Sequence, residues 1–320
     1  MIVLVADAGG TRIKVALMRD QSVLAQHCLE ARSHEGLAPQ LPRIVRAFNE
    51  LRAQTGIAPG DCVALGLAFP SLIDFPKGRV RSAYGKYEDA PHLDLSRWAR
   101  EALGLPLVLE NDARMALLGE WQAGAGRGSD DLVMVTLGTG LGTAALIQGH
   151  LVRGKHGQAG VLGGHLTVRQ SGRRCTCGNR GCAEAEASTY ALPAIAAERS
   201  DFSNSSLRHL KVIDYAAVMR MARERDSCAT ALRAEAIKIW SSLLVNLIHA
   251  YDPERVIVGG GILAGAPDFF PELVQQVRAQ VHTPWGEVAI LAARLGDTAA
   301  FFGGEYLVRE TFSRPAPALH

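Results

Sequence analysis

No apolar run in the 320-residue chain approaches the ~18 residues of a membrane-spanning helix, so none is expected. Neither charge dominates. Lys and Arg number 34, Asp and Glu 32, and the formal net charge is +2. That balance leaves no global basic excess for nucleic acid or an anionic membrane. The opening MIVLVADAGG has neither a basic n-region nor a small-residue cleavage site, and reads as a first strand. A cytoplasmic location is the expectation, which argues against structural disulfides. Cysteine is scarce, six in all, yet three fall within CTCGNRGC, Cys175 to Cys182. No G-x-x-x-x-G-K-[ST] loop, no complete G-x-G-x-x-G, no short-period repeat and no low-complexity tract is present.

Hydrophobic residues make up 48% and glycines number 33, the composition of a globular α/β protein long enough for two domains. IVLVADAGGTRIKVALM reads as two short strands joined by a Gly-rich turn, with SVLAQHCLEA as a third. PRIVRAFNELRAQTG and LDLSRWAREALGL carry helical periodicity, and CVALGLAFPSLID is a buried strand entering a loop. PLVLENDARMALLGEWQAGAG reads as strand, turn and helix, and DLVMVTLGTGLGTAALIQGHLV as strand, Gly turn and strand. One scheme therefore occurs twice. Further on, SDFSNSS is a surface-loop candidate, TALRAEAIKIWSSLLVNLIHAYDP a long helix, RVIVGGGI a strand ending in glycines, and RPAPALH a fraying tail.

Three glycine turns each follow a strand: Asp7-Ala8-Gly9-Gly10-Thr11, Gly138-Thr139-Gly140-Leu141-Gly142-Thr143 and Gly259-Gly260-Gly261. Glycines let backbone N–H groups approach phosphate oxygens, Thr hydroxyls add donors, and Asp7 suits Mg²⁺. Any one of them could be an ordinary turn; three in one chain argue otherwise. Glu110-Asn111-Asp112 follows PLVL and precedes a helix, at a strand's C-terminal end where open α/β sheets bind ligands. Asp112 there could take a proton from a substrate hydroxyl and Asn111 could orient the substrate; the alternative is a helix cap. Cys175, Cys177 and Cys182, with His165 ten residues before the first, form the four-ligand set of a closed structural zinc site. The spacing is C-x-C, not the C-x-x-C of a redox pair, and unpaired thiols are the other alternative. Cys28, Cys62 and Cys228 are isolated and are expected to be buried.

Taken in order, DAGGTRIKVAL, ENDARMALLGEW, LGTGLGTAALIQGHLVRGKHGQAG, GHLTV…CTCGNRGCAEAEAS and VIVGGGI resemble the segments of the ROK group of sugar kinases and sugar-responsive repressors, within the actin-like ATPase superfamily. The resemblance covers nearly the whole chain, and the zinc segment is its most specific part. It implies two α/β domains of ribonuclease H-like fold around a cleft, at 1–112 and 113–299, with a C-terminal helix at about 300–314 packing back on the first. It implies Asp112 as general base and Asn111, His165 and Glu184 as sugar-binding residues. Asp7, Gly9, Gly10, Thr11, Arg12, Gly138, Thr139 and Gly140 would surround the ATP phosphates and Mg²⁺. Gly260 and Gly261 would face the adenosine, and His165, Cys175, Cys177 and Cys182 would hold a structural Zn²⁺. The implied activity is phosphorylation of a hexose or N-acetylhexosamine hydroxyl, most often O6, by a homodimer or larger homo-oligomer with no nucleic-acid or membrane partner.

One departure stands out. The family usually reads G-E-x-G-H before the zinc His, and that Glu binds sugar hydroxyls; here AGVLGGH places Leu162 three residues before His165. Gln158, His156, Lys86 and Tyr87 are candidates to compensate. A kinase for an atypical sugar, or a non-catalytic sugar-binding ROK protein, are the alternatives. A repressor of this group would carry an added N-terminal helix-turn-helix, which is not expected with the phosphate loop starting at Asp7.

Overall fold

The computed structural model describes residues 1–83 and 85–313. It comprises two compact units, one of Met1–Gly128, Arg153–Ala159 and the chain from Asp297 onward, the other of Ser129–Val152 and Gly160–Gly296. Among the described residues no helix is long and apolar enough to cross a membrane.

The first unit opens with an antiparallel meander of β1 (Ile2–Ala8), β2 (Arg12–Arg19) and β3 (Ser22–Glu30). After α1 (Leu41–Thr55) come β4 (Cys62–Phe69), the small hairpin β5 (Ile73–Asp74) and β6 (Arg79–Val80), α2 (Leu95–Leu103), β7 (Leu107–Asn111) and α3 (Asp112–Ala123). The sheet order is β3-β2-β1-β4-β7, antiparallel through the meander and parallel from β1 to β7. β1 and β4 are buried on both faces, hence their unbroken apolar runs IVLVA and ALGLAF. Edge strand β3 is half-exposed, and Cys28 on it is exposed, unlike the buried Cys62 and Cys228. The expectation of a buried Cys28 is therefore corrected: its strand has a neighbour on one side only.

The second unit repeats the plan. β8 (Leu132–Leu137), β9 (Leu141–Ile147) and β10 (His150–Leu151) form a second meander. There follow α4 (Ala183–Ala187), α5 (Leu192–Ala197), α6 (Tyr215–Arg223), α7 (Ser227–Tyr251), β11 (Arg255–Gly259), α8 (Gly261–Gly265), α9 (Phe270–Gln280) and β12 (Ala289–Ala292). Sheet order β10-β9-β8-β11-β12 matches the first unit strand for strand, again antiparallel and then parallel. The core gathers on α7, where Trp240 is fully buried with Tyr215 at 5.0 Å and Phe269 at 4.9 Å between ring centroids. SDFSNSS is more ordered than a simple loop. It holds the 3₁₀ turns Phe202–Asn204 and Ser206–His209, because the Ser205 hydroxyl between them donates to Asp226, the N-cap of α7, at 2.9 Å.

The chain then returns to the first unit through α10 (Ala299–Ser313), which packs on α3, β1 and β4. RPAPALH falls outside the described residues. The two helices meet backbone to backbone. A Cβ on Gly119 would lie 1.9 Å from the Ala299 carbonyl oxygen, and one on Gly303 would lie 1.8 Å from that of Met115. This contact groups α3 with the first unit, whereas the reading from sequence began the second domain at residue 113. Gly303→Ala should force the helices apart and lower the unfolding free energy by about 1–3 kcal/mol or more. A melting temperature equal to that of the parent chain would contradict the close approach.

Candidate functional site

In the first unit, Asp7 ends the core of β1 and the turn Gly9-Gly10-Thr11 hands the chain to β2, which opens with Arg12. Asp7 is largely buried and accepts a hydrogen bond from Lys14 Nζ at 3.1 Å. Burial raises its pKa above the usual carboxylate value, against the lowering effect of Lys14. A carboxylate so short of solvation fits a hard cation such as Mg²⁺. Asp297 stands behind the loop: it pairs with Arg12 at 2.9 Å and with Lys14 at 3.4 Å. Nothing local in the sequence predicts this partner, some 285 residues away.

Asp7, Ala68 and Glu110 sit side by side on β1, β4 and β7. One step further along β7, Asn111 caps α3. Its Oδ1 accepts from the N–H groups of Ala113 at 3.0 Å and Arg114 at 3.2 Å, and its amide donates to the Ser71 carbonyl at 3.2 Å. The capping alternative for Asn111 is thus realised. Asp112 follows as the first helical residue, partly exposed, with Oδ1 2.8 Å from the Ala113 N–H. Desolvation, and to a lesser degree the Asp7 charge, raise its pKa to about 6. A partly exposed carboxylate at that value can receive a proton near neutral pH.

Glu110 is completely buried. Its carboxylate pairs with Arg114 at 3.3 Å and Arg153 at 2.8 Å, and accepts the Asn111 N–H at 2.9 Å. Arg114, also buried, donates to the carbonyls of Gly157 at 3.1 Å and Ala159 at 2.6 Å. Arg153 stacks its guanidinium 4.2 Å over the Phe75 ring. The cluster fastens residues 153–159, with His156 and Gln158, to the strand that ends in Asn111. Sequence reading missed these three residues. Glu110 and Arg114 are four apart and could have been paired, but nothing local points to Arg153.

In the second unit, Gly138, Thr139 and Gly140 form the β8–β9 turn, and Gly260, at φ +95°, leads into Gly261 at the start of α8. The Glu184 carboxylate accepts the Leu141 N–H at 2.9 Å, and the N–H groups of Thr189 and Tyr190 donate to the carbonyls of Gly138 and Thr139, each at 3.1 Å. The segment after the cysteines therefore braces the β8–β9 turn. Trp240 holds that segment from below, its indole N–H 3.0 Å from the Ala187 carbonyl.

His165 closes the 3₁₀ turn Gly163–His165, while Thr167 and Cys182 form a bridge that brings the cysteine segment alongside. The ligand atoms of His165, Cys175, Cys177 and Cys182 all lie within 4.8 Å of one another. Cys177 Sγ and Cys182 Sγ are 3.7 Å apart, and Cys175 Sγ is 3.5 Å from His165 Nδ1. A tetrahedral ion with Zn–S bonds of ~2.3 Å and Zn–N bonds of ~2.0 Å needs separations of about 3.8 and 3.5 Å. A disulfide would need ~2.05 Å. Burial and the neighbouring thiols push the pKa of Cys182 up to about 12. The donor set and the spacing fit Zn²⁺.

The family model described as "ROK family" matches residues 3–311. The chain belongs to the ROK family. A glucokinase of Thermotoga maritima is 30% identical over 312 residues, covering 95% of this chain and 96% of the relative. A xylose repressor of Bacillus subtilis is 26% identical over 282 residues, covering 87% of this chain and 70% of the relative. Among solved structures, a ROK family glucokinase from Streptomyces griseus, in complex with glucose and AMPPNP, is 28% identical with a TM-score of 0.77, covering 97% of this chain and all of that one. The ROK assignment places both sheets in the actin-like ATPase fold. Within this ROK chain the buried carboxylate makes a direct prediction. Glu110→Ala leaves Arg114 charged and buried, and should cost about 3–5 kcal/mol in a urea unfolding experiment. A loss below ~1 kcal/mol would mean that the cluster does not hold this part of the fold.

Proposed function

We propose that the chain is an ATP-dependent sugar kinase that phosphorylates a hexose or N-acetylhexosamine hydroxyl, most often O6. The observation that carries this reading is Asp112, a partly exposed carboxylate at the C-terminal end of β7 with its pKa raised to about 6, in the same unit as the Asp7–Thr11 loop. Asp112 takes the proton of the attacking hydroxyl, while Asn111, held by its own caps, orients the sugar. The backbone of Gly9, Gly10 and Thr11, with Arg12, and that of Gly138, Thr139 and Gly140 receives the nucleotide phosphates; Gly260 and Gly261 face the adenosine. Asp7 holds Mg²⁺, which when bound neutralises phosphate charge. His165 and Glu184 face the sugar, and the structural Zn²⁺ on His165, Cys175, Cys177 and Cys182 sets the orientation of that wall. We infer a cytoplasmic homodimer or larger homo-oligomer as the working form.

A second reading draws on Leu162, which stands where the family carries its sugar-binding Glu. The substrate would then be an atypical sugar, or the protein would bind sugar without turnover. ATP consumption across a panel of hexoses and N-acetylhexosamines separates these readings, since the non-catalytic protein consumes none. In the kinase, kcat should fall as pH drops through about 6, because the raised pKa of Asp112 leaves it protonated, and useless as a base, below that value. Asp112→Asn should remove at least 10³-fold of kcat with the fold intact. Normal turnover in that variant, or a flat profile from pH 5 to 7, would reject Asp112 as the base.

Zinc makes a separate prediction. Elemental analysis of the purified protein should find one zinc per chain. Cys182→Ser should lose it and lower the melting temperature. Full metal content in that variant would place the zinc elsewhere.

A further inference from the structure

Three basic side chains surround the Asp7–Thr11 loop. Two of them, Arg12 and Lys14, are already paired with Asp7 or Asp297. The third, Lys86, comes from a different part of the first unit. Its aliphatic end lies directly over the turn: a Cβ on Gly10 would sit 2.6 Å from Lys86 Cε and 2.7 Å from Nζ. No ion pair involving Lys86 is found among the described residues, and the carboxylate on which its charge acts is Asp112, whose pKa it lowers. The side chain is half-buried, so part of its hydration is already removed.

The backbone that delivers Lys86 is held from several directions. The next residue, Tyr87, is fully buried and adopts φ +53°, uncommon for a bulky residue. Its hydroxyl donates to the Gly9 carbonyl at 2.8 Å, its N–H to the Ser33 carbonyl at 2.8 Å, and its ring packs on Phe69 at 5.4 Å between centroids. The Ser33 hydroxyl donates to the Gly10 carbonyl at 2.8 Å. Asp89 ties the far end down by accepting the N–H groups of Leu37 at 2.5 Å and Ala38 at 2.8 Å. The turn and the 85–89 segment are thus stitched into one piece. Left-handed backbone at a buried tyrosine costs of order 1 kcal/mol, and such conformations persist where the surroundings hold them, commonly at functional sites.

We propose that Lys86 is a phosphate-contacting catalytic residue, its ammonium donating to the terminal phosphoryl group of the nucleotide above the Asp7–Thr11 turn. The inference rests on the kinase reading and deepens it. In the transfer, the bond between the γ-phosphorus and the β,γ-bridging oxygen breaks, and its electron pair leaves with ADP. The sugar oxygen bonds to the γ-phosphorus and its proton passes to Asp112. Lys86 neither gains nor loses a proton. It neutralises charge on the non-bridging oxygens, which an ammonium committed to a carboxylate could do only in part.

The test compares two nucleotides that differ in the terminal phosphoryl group. Binding of AMPPNP and of ADP, each with Mg²⁺, is measured by calorimetry on the parent chain and on Lys86→Met, with Lys86→Gln as a second variant should the first not fold. The expected result is AMPPNP weakened about tenfold with ADP within twofold. In turnover, kcat should fall about 10²-fold with the sugar KM within threefold, and Lys86→Arg should recover part of the loss. An unchanged AMPPNP-to-ADP ratio would overturn the proposal. So would a raised sugar KM at constant kcat, which would put Lys86 on the sugar. If no sugar in the panel made the parent chain consume ATP, the kinase reading would fail, while the nucleotide ratio would still decide the role of Lys86.

Discussion

Glu110 has no exposure to solvent, and three donors converge on it: the guanidinium groups of Arg114 and Arg153 and the N–H of Asn111. A buried carboxylate is costly to desolvate and stays ionised only where opposite charge and hydrogen bonds replace water. Here the replacement is nearly complete, and its geometry orders the surroundings. Arg114 carries the restraint to the Gly157 and Ala159 carbonyls, and Arg153 carries it to the Phe75 ring. The end of β7, the first turn of α3 and the 153–159 segment are thereby held as one body, with Asn111 buried in it and Asp112 partly exposed. The role proposed for Asp112 draws on this restraint, since a reacting carboxylate loses much of its effect when misplaced by an ångström.

The second unit achieves a similar end with different chemistry. The cysteine segment is short and rich in turns, with little apolar surface of its own. Within it Cys175, Cys182 and Ala185 form a small buried cluster, beside the candidate ligand set formed with His165. Residues 184–190, just beyond Cys182, are tied both to the β8–β9 turn, through Glu184, Thr189 and Tyr190, and to the α7 core, through Trp240. The wall that carries His165 and the turn that carries Thr139 are mechanically continuous. A change at the cysteines therefore reaches the glycine turn through a few hydrogen bonds within one unit.

Much of this was legible in the chain itself. The doubled meander could be read from apolar runs and glycine turns, because strand burial and turn chemistry are local. The four metal-ligand candidates could be read from spacing, since three of them lie within eight residues. The cap at Asn111, weighed as the alternative to a substrate contact, was legible because capping needs only the next three residues. Burial of Cys28 was misjudged, because an edge strand looks like a central one until its neighbours are known. Arg153, Asp297 and the placement of Lys86 over Gly10 were out of reach, since each depends on residues tens to hundreds of positions away.

The sequence alone determined the family, the strand and helix plan, and which side chains are able to hold phosphate, metal and proton, because those properties reside in residue type and short spacing. Tertiary structure decided which charges are already spent and which remain available. Lys14 and Arg12 are committed to carboxylates at the first loop, Arg114 and Arg153 to Glu110, while Lys86 is brought to the turn with its charge felt by Asp112 and, among the described residues, no ion pair. The physical reason is that electrostatic pairing is set by distance in space and by loss of water, neither of which the order of residues records.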